Sequence, residues 1–306
     1  MCDGYILSYH NPDTDSLCSS LAYSIYMAKK GKDFRVIASG NILPETQYVL
    51  MKANINNVDF NCDYDESKDI ILIDTHHLIQ LPHLKNVGRV VKIFDHHPNG
   101  DDSQFYNAYI DNRIIGAAAT IIAESVLTDN LMDAQLAILL GASIISNTMN
   151  FEAPSTSKLD KVIFDKLQHY YKFSNQFISE MFYSKNDILT RTEEEIIESD
   201  VKLFNISNKK IKIAQIELVD IEKNLDLNKF IRKCFNLSPN HDTDYYILSL
   251  IDILNKRTYV ITLDERSLLL RNSIFESTIS DNLLVVNRIL LRKTDFIEQI
   301  KKILNA

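Results

Sequence analysis

Three apolar runs in the first hundred residues each end in a polar turn crowded with acids and imidazoles, and no other feature constrains the chain as much. "YILSY" (5–9) leads into His10-Asn11-Pro12-Asp13-Thr14-Asp15, "IILID" (70–74) into Asp74-Thr75-His76-His77, and "VVKIF" (90–94) into Asp95-His96-His97-Pro98. A helical pattern from Ser16 to Lys30, a strand run "FRVIAS" (34–39) and a second helical pattern over 45–53 lie among them. Strands alternating with helices predict βαβ units and a parallel sheet. Ligands of such sheets bind beyond the carboxyl ends of the strands, so the three turns are expected to face one site.

Each turn alone has a plainer reading. Asp15 or Ser16 caps the helix that follows, Asp74 closes a strand, and the two histidines before Pro98 sit in an exposed loop. Three such strand ends, joined by the later segment Ser143 to Asn147, are harder to dismiss. Together they offer mixed nitrogen and oxygen ligands, which suit manganese, iron, cobalt or zinc better than calcium.

Composition removes several classes. The 306 residues, 45% hydrophobic and 24% charged, fit one large or two medium globular domains. A formal charge of −8 argues against a nucleic-acid binder, because such proteins displace counterions with a basic face. If the ligand is itself anionic, bound divalent cations would reverse the local sign. No apolar run reaches the roughly 18 to 20 residues of a spanning helix, and the first residues lack a basic n-region, so a cytoplasmic protein without membrane partners is expected. Cys2, Cys18, Cys62 and Cys234 are scattered without a CxxC pair and are expected to be reduced thiols.

The second half follows the polar stretch 183–200, in which "RTEEEIIES" reads as a helix start with acids in its first turn. Strand runs over 210–218, 245–254 and 257–263, with helices near 224–236 and 294–304, predict a small mixed α+β domain. The lysine-rich stretch from Asn208 to Lys212 reads as a hairpin turn.

"HNPDTDS", the strand-closing Asp74 and "DHHP" (95–98) resemble the DHH phosphoesterase superfamily and, within it, the manganese-dependent, family II inorganic pyrophosphatases. The resemblance continues in order through "LPETQYVL" (43–50), "IIGAAATII" (114–122), the segment 136–160 and "SDVKLFNISNKKIKIAQIELVDIE" (199–222), and on to "LLRKTD" (290–295). It implies a parallel-sheet, Rossmann-like α/β domain over 1–186, a linker or hinge over 187–196, and a smaller mixed α+β substrate-binding domain over 197–306. The implied reaction is hydrolysis of pyrophosphate to two phosphates by a hydroxide shared between two metals, in a cytoplasmic homodimer.

The implied metal set is His10 and Asp13 on one ion, Asp15 and His96 on the other, Asp74 bridging, and Asn147 completing the ligands of the second ion. His97, Asp13 and Asp74 would carry catalysis, and His97, Lys202, Arg292 and Lys293 would contact substrate. The cofactors would be two Mn2+ or Co2+ per site, with Mg2+ entering with the substrate. On spacing alone, Arg292 and Lys293 also read as a solvated turn, and Lys202 as a lysine guarding an edge strand against aggregation.

The chain departs from the family pattern at Asn147, where relatives place an aspartate, at Thr75 and His76 after the bridging aspartate, and at Leu291. An amide brings a neutral oxygen where a carboxylate brings a charge, so affinity for the second metal should fall. His76 or His77 could compensate by ligating it. The alternatives are therefore a related phosphoesterase acting on short polyphosphate or a nucleotide, and a weakly active or inactive binding homologue.

Overall fold

The computed structural model describes residues 2–58, 63–98, 100–185, 192, 200–236, 243–278 and 281–305. Cys62 and, apart from Thr192, the expected linker 187–196 and the "RTEEEIIES" helix start lie outside these residues. Two compact units divide the chain, Met1–Met181 and Phe182–Ala306.

The first unit is built on five strands: β1 (Gly4–Leu7), β2 (Phe34–Ile37), β3 (Asp69–Ile73), β4 (Val90–Asp95) and β5 (Tyr109–Asn112). They lie in the order β2-β1-β3-β4-β5, and every pair is parallel. Such a doubly wound order reverses direction between β1 and β3, and the crevice that a ligand uses opens beyond the strand ends there. The central strands read as continuous apolar runs, and Ile70 to Ile73 are buried, as expected for a sheet covered on both faces.

One face carries a cluster that includes Leu7, Ile70, Leu72, Ile93 and Phe105. Burying a side chain of this kind contributes roughly 1.5–3 kcal/mol. The helices are α1 (Thr14–Lys29), α2 (Pro44–Lys52), α3 (Ala118–Thr128), α4 (Ala134–Asn147), α5 (Lys158–Leu167) and α6 (Asn175–Ser184). From Leu136 to Ile145 every residue of α4 is buried, because α1, α2, α3 and α5 all pack on it; a helix apolar all round is one with neighbours all round.

Helix α1 begins two residues earlier than its hydrophobic pattern suggests. Asp13, rather than Asp15 or Ser16, is its cap: its backbone is extended and its side chain accepts from the Ser16 N–H at 2.9 Å, satisfying a donor that the first turn leaves open. That correction places Asp15 inside the first turn, where its side chain is free for tertiary partners.

In the second unit, β6 (Val201–Ile206), β7 (Lys209–Leu218), β8 (Tyr245–Asp252), β9 (Arg257–Thr262) and β10 (Leu283–Val286) form a sheet ordered β10-β9-β8-β7-β6. It is mixed: β7 and β8 are parallel and the other pairs antiparallel. The expected hairpin joins β6 and β7, but Lys209 to Lys212 belong to β7 rather than to its turn, which falls at Ser207 and Asn208, both at positive φ (50° and 62°). A tight turn matched to strand twist requires that conformation. Alternating residues feed two cores, Ala214, Ile216 and Leu218 on one face and Ile211 and Ile213 on the other, as the two-residue period of a strand dictates.

The single helix expected over 224–236 is two, α7 (Ile221–Asn224) and α8 (Leu227–Asn236), and α9 (Glu265–Phe275) follows β9. Arg292–Ile297 is a π-helical segment leading into α10 (Glu298–Leu304). No helix among the described residues is long and apolar enough to cross a membrane.

Candidate metal centre

The ends of β1, β3 and β4 deliver their turns as the sheet order demands. Asp74, directly after β3, has a left-handed conformation with φ 64°, which aspartate tolerates better than most residues. Its N–H bonds the Phe94 carbonyl at 2.8 Å, and its side chain is 1% exposed. Buried Oδ1 of Asp74 has no hydrogen-bond donor. The nearest ring atom is His96 Nε2, at 3.2 Å. His96 Nδ1 lies 3.0 Å from the Ile115 carbonyl, which fixes the proton on that nitrogen and leaves Nε2 a lone pair in the neutral ring.

Asp15 is buried and collects donors from a distant part of the chain. Its Oδ2 accepts from Ala118 N–H at 2.7 Å, and its Oδ1 from Ala119 N–H at 3.0 Å and from the Ser19 hydroxyl at 3.0 Å. These backbone donors are the open first turn of α3, whose own cap residue, Ala117, supplies no side-chain bond. Burial nevertheless pushes the Asp15 carboxyl up to about 6, with His96 opposing the rise and Asp13 adding to it. Asp74 is driven well above the carboxylate range by burial and by the charges of Asp15 and Asp13.

Asn147 is the last residue of α4, and its Nδ2 sits among three acceptors. Gly116 O lies at 2.9 Å, His96 Nε2 at 3.2 Å and Asp15 Oδ2 at 3.3 Å. Gly116 is held so closely that an added Cβ would meet Thr148 Cγ2 at 2.5 Å. Glu45, at the start of α2, accepts from the hydroxyls of Thr14 at 2.8 Å and Ser146 at 2.7 Å, tying the beginning of α1 to the end of α4.

At the end of β4, Asp95 organises the turn that follows it. Its Oδ1 accepts from the N–H groups of His96 (2.7 Å) and His97 (3.1 Å) and from His97 Nδ1 (2.8 Å), while its Oδ2 bonds His76 Nδ1. Burial would raise the Asp95 carboxyl, but the bonds from His97 and His76 outweigh it and hold it down to about 2. Reciprocally, the Asp95 bond raises His97 above the ordinary imidazole range. Asp74, Asp95, His96 and His97 offer ligand atoms that all lie within 4.8 Å of one another.

The donor set suits a divalent cation. Two carboxylates and an imidazole lone pair converge in a buried space, and one carboxylate oxygen has no proton to accept. Mixed oxygen and nitrogen ligation of this kind matches manganese and its neighbours.

The expected site residues are not all gathered equally. Asp15, Asp74, His96 and Asn147 form one knot, the two carboxyls buried and His96 and Asn147 part-buried, with His97 half-exposed beside it. Asp13 is close enough to Asp15 and Asp74 to raise both carboxyls. His10 is exposed and meets Ser39 Oγ at 3.0 Å. His76 is fully buried against Asp95 and does not join the knot.

In the second unit Lys202 lies on β6 at the sheet edge and is exposed, as is Lys293. Arg292 is 6% exposed and makes a two-pronged ion pair with Asp200 at 2.9 and 3.0 Å. Its Nη1 also bonds the carbonyls of Asp200 and Ile213. Sequence reasoning gave no role to Asp95, Glu45 or Tyr9, whose phenol is kept protonated by burial and by Asp13 and Asp74. Asp95 stands inside the motif and could have been found there; Glu45 reads only as an ordinary first-turn acid.

Comparison with known proteins agrees with this geometry. The DHH family N-terminal domain profile matches residues 4–144, and the DHHA2 domain profile matches residues 179–303. The chain is 31% identical over 297 residues to a "probable manganese-dependent inorganic pyrophosphatase" of Clostridium acetobutylicum, covering 96% of this chain and 95% of that protein. The chain belongs to the manganese-dependent inorganic pyrophosphatase family.

A manganese-dependent inorganic pyrophosphatase of Methanocaldococcus jannaschii is 26% identical over 317 residues, covering 99% of each chain. Among solved structures, a Methanococcus jannaschii chain assigned to family II inorganic pyrophosphatase superposes with a TM-score of 0.65 at 24% identity. That superposition covers 99% of this chain and 100% of the other, and shows the shared pyrophosphatase fold.

Proposed function

We propose that this chain hydrolyses inorganic pyrophosphate to two phosphates with two Mn2+ or Co2+ ions per site, Mg2+ entering with the substrate. The observation that carries the reading is the buried, donorless Oδ1 of Asp74 facing the His96 Nε2 lone pair. His10, Asp13, Asp15, Asp74, His96 and Asn147 would hold the metals. Bound there, the ions would supply a water made nucleophilic near neutral pH and offset the charge of the diphosphate.

The chain's own groups do the rest. Asp95 holds the His97 ring by Nδ1 and leaves its Nε2 for a phosphate oxygen. Asp13 and Asp74 would orient the reacting centre. Lys202, Arg292 and Lys293 are the proposed substrate cations, since charge in phosphoryl transfer spreads over the oxygens. Arg292 would have to exchange its Asp200 partner for phosphate, whereas exposed Lys202 and Lys293 are free to approach it.

The same proposal takes 1–186 as the metal-binding domain, 187–196 as a hinge and 197–306 as the substrate-binding domain. It takes the protein as a cytoplasmic homodimer without nucleic-acid or membrane partners, in keeping with a formal charge of −8. One observation favours a second reading: the Asn147 amide, rather than a carboxylate, faces Asp15 and His96. That substitution suits a weakly active homologue, or a phosphoesterase of short polyphosphate or nucleotides.

The deciding experiment measures phosphate release from pyrophosphate, tripolyphosphate and a nucleotide with manganese, cobalt or magnesium, and counts bound metal. Turnover of pyrophosphate above the other substrates is expected. Preference for a longer chain or a nucleotide, or silence with metal bound, would overturn the reading.

A further inference from the structure

We propose that His76 is a positioning residue for the site, acting through Asp95 on the turn that carries His96 and His97. This deepens the reading above, which it uses only for the roles of those two histidines. The left-handed turn at Asp74 sends the chain beneath the end of β4, where His76 is fully buried. Its Nδ1 bonds Asp95 Oδ2.

The other oxygen of that carboxylate gathers three donors of the following turn, two backbone N–H groups and His97 Nδ1. Rotating the carboxylate would disturb all three together, so the grip of His76 on one oxygen fixes, through the other, the His97 ring and the backbone that carries His96. Residues that orient ligands from behind in this way typically govern about 10–100-fold of metal affinity or activity.

The ring of His76 is itself over-determined. Its Nε2 lies 3.2 Å from Asp102 Oδ1 and 3.4 Å from Asn112 Nδ2. Its carbonyl accepts from the Asp101 N–H at 2.9 Å. A Cβ on Gly100 would overlap His76 Cδ2 and Nε2, so only glycine lets the chain pass this close. Both nitrogens therefore face carboxylates, and a backbone wall closes the remaining side. An imidazole serving merely to fill the core would need neither partner.

His76→Leu keeps the bulk and removes the donor, whereas His76→Asn returns a donor near the Nδ1 position. With manganese and pyrophosphate, His76→Leu is expected to lower kcat by about 10–100-fold with KM little changed, and His76→Asn to recover most of that loss. In metal-free protein with 15N-labelled histidines, His97 should carry its proton on Nδ1 in the parent chain and in His76→Asn. That signature should be lost in His76→Leu.

Wild-type kcat and an unchanged His97 signal in His76→Leu would overturn the proposal. So would equal losses in both variants that track their melting temperatures, the result of a purely structural role. If His76→Leu does not fold, His76→Gln carries the same expectation, because its amide reaches toward Asp102 and withdraws from Asp95. If the parent chain releases no phosphate from pyrophosphate, the reading of its function fails, while the histidine spectra still decide the role of His76.

Discussion

Nε2 of His96 stands 3.2 Å from Oδ1 of Asp74, a carboxyl that burial and the charges of Asp15 and Asp13 drive well above the usual range. Without a cation, folding near neutral pH must either bury the Asp74 charge or take up its proton, and that cost should be measurable. Asp74→Asn keeps the shape and the left-handed backbone, which asparagine also tolerates, while removing the buried ionisable group. Metal-free Asp74→Asn should melt higher than the metal-free parent, by the equivalent of about 0.5–2 kcal/mol, and should bind less manganese. Thermal melts with and without manganese check this; a metal-free variant that melts lower would refute it.

Asp15 gives a pH dependence with a definite sign. Its folded carboxyl titrates at about 6, above the ordinary 3.8, because burial disfavours the charge. The folded protein therefore holds the proton more tightly than the unfolded chain does, so this group's contribution to metal-free stability falls as pH rises from about 4 through 6. Metal binding needs the ionised form, so manganese affinity should climb as pH rises through about 6. Calorimetric titrations at about pH 5, 6 and 7 test the sign, and a flat profile would contradict it.

Asn147 places an amide nitrogen 3.3 Å from Asp15 Oδ2 and 3.2 Å from His96 Nε2. Asn147→Asp removes that donor and adds a charge where a cation would sit. The variant should bind its second metal at least tenfold more tightly, about 1.4 kcal/mol. It should also melt lower without metal, since a third carboxylate joins a crowded pocket. Equal stoichiometry and affinity in the two proteins would show that the amide is already an adequate ligand.

Arg292 and Lys293 are neighbours with different expected losses. Arg292 is buried on a two-pronged bond to Asp200, whose side chain is 45% exposed, so solvent weakens the pair. Arg292→Ala should still destabilise the protein by about 1.5–3 kcal/mol, through lost charged bonds and unpaired carbonyls. Because Lys293 is exposed, Lys293→Ala should leave stability within about 0.5 kcal/mol and raise KM for pyrophosphate. Denaturant melts beside steady-state kinetics separate the two; a destabilised Lys293→Ala with normal KM would reverse the assignment.

Much of the first unit was legible because its signals are local. Apolar runs bounded by polar turns mark β1, β3 and β4, and alternation with helical patterns indicates a parallel sheet before any contact is known. The hairpin between β6 and β7 was legible, but its turn lies earlier than the charge suggests: Lys209 to Lys212 read as the turn and already pair in β7. Less visible was the start of α1: Asp15 and Ser16 read as its caps, whereas the cap is Asp13, which lies before the hydrophobic pattern begins. The strand β5, too short and polar to stand out, is recognised only by its pairing with β4.

By itself the sequence determined which side chains stand at the strand ends, because strand, turn and helix propensities act within a few residues of where they are written. Partnership was decided only by the tertiary structure. Asp15 caps α3, a helix whose own start, Gly116 to Ala119, carries no capping side chain. His76 turns to Asp95, and Arg292 is held by Asp200. Each of these bonds joins segments distant in sequence, and each buried group's partner is set by which elements the packed core brings against it.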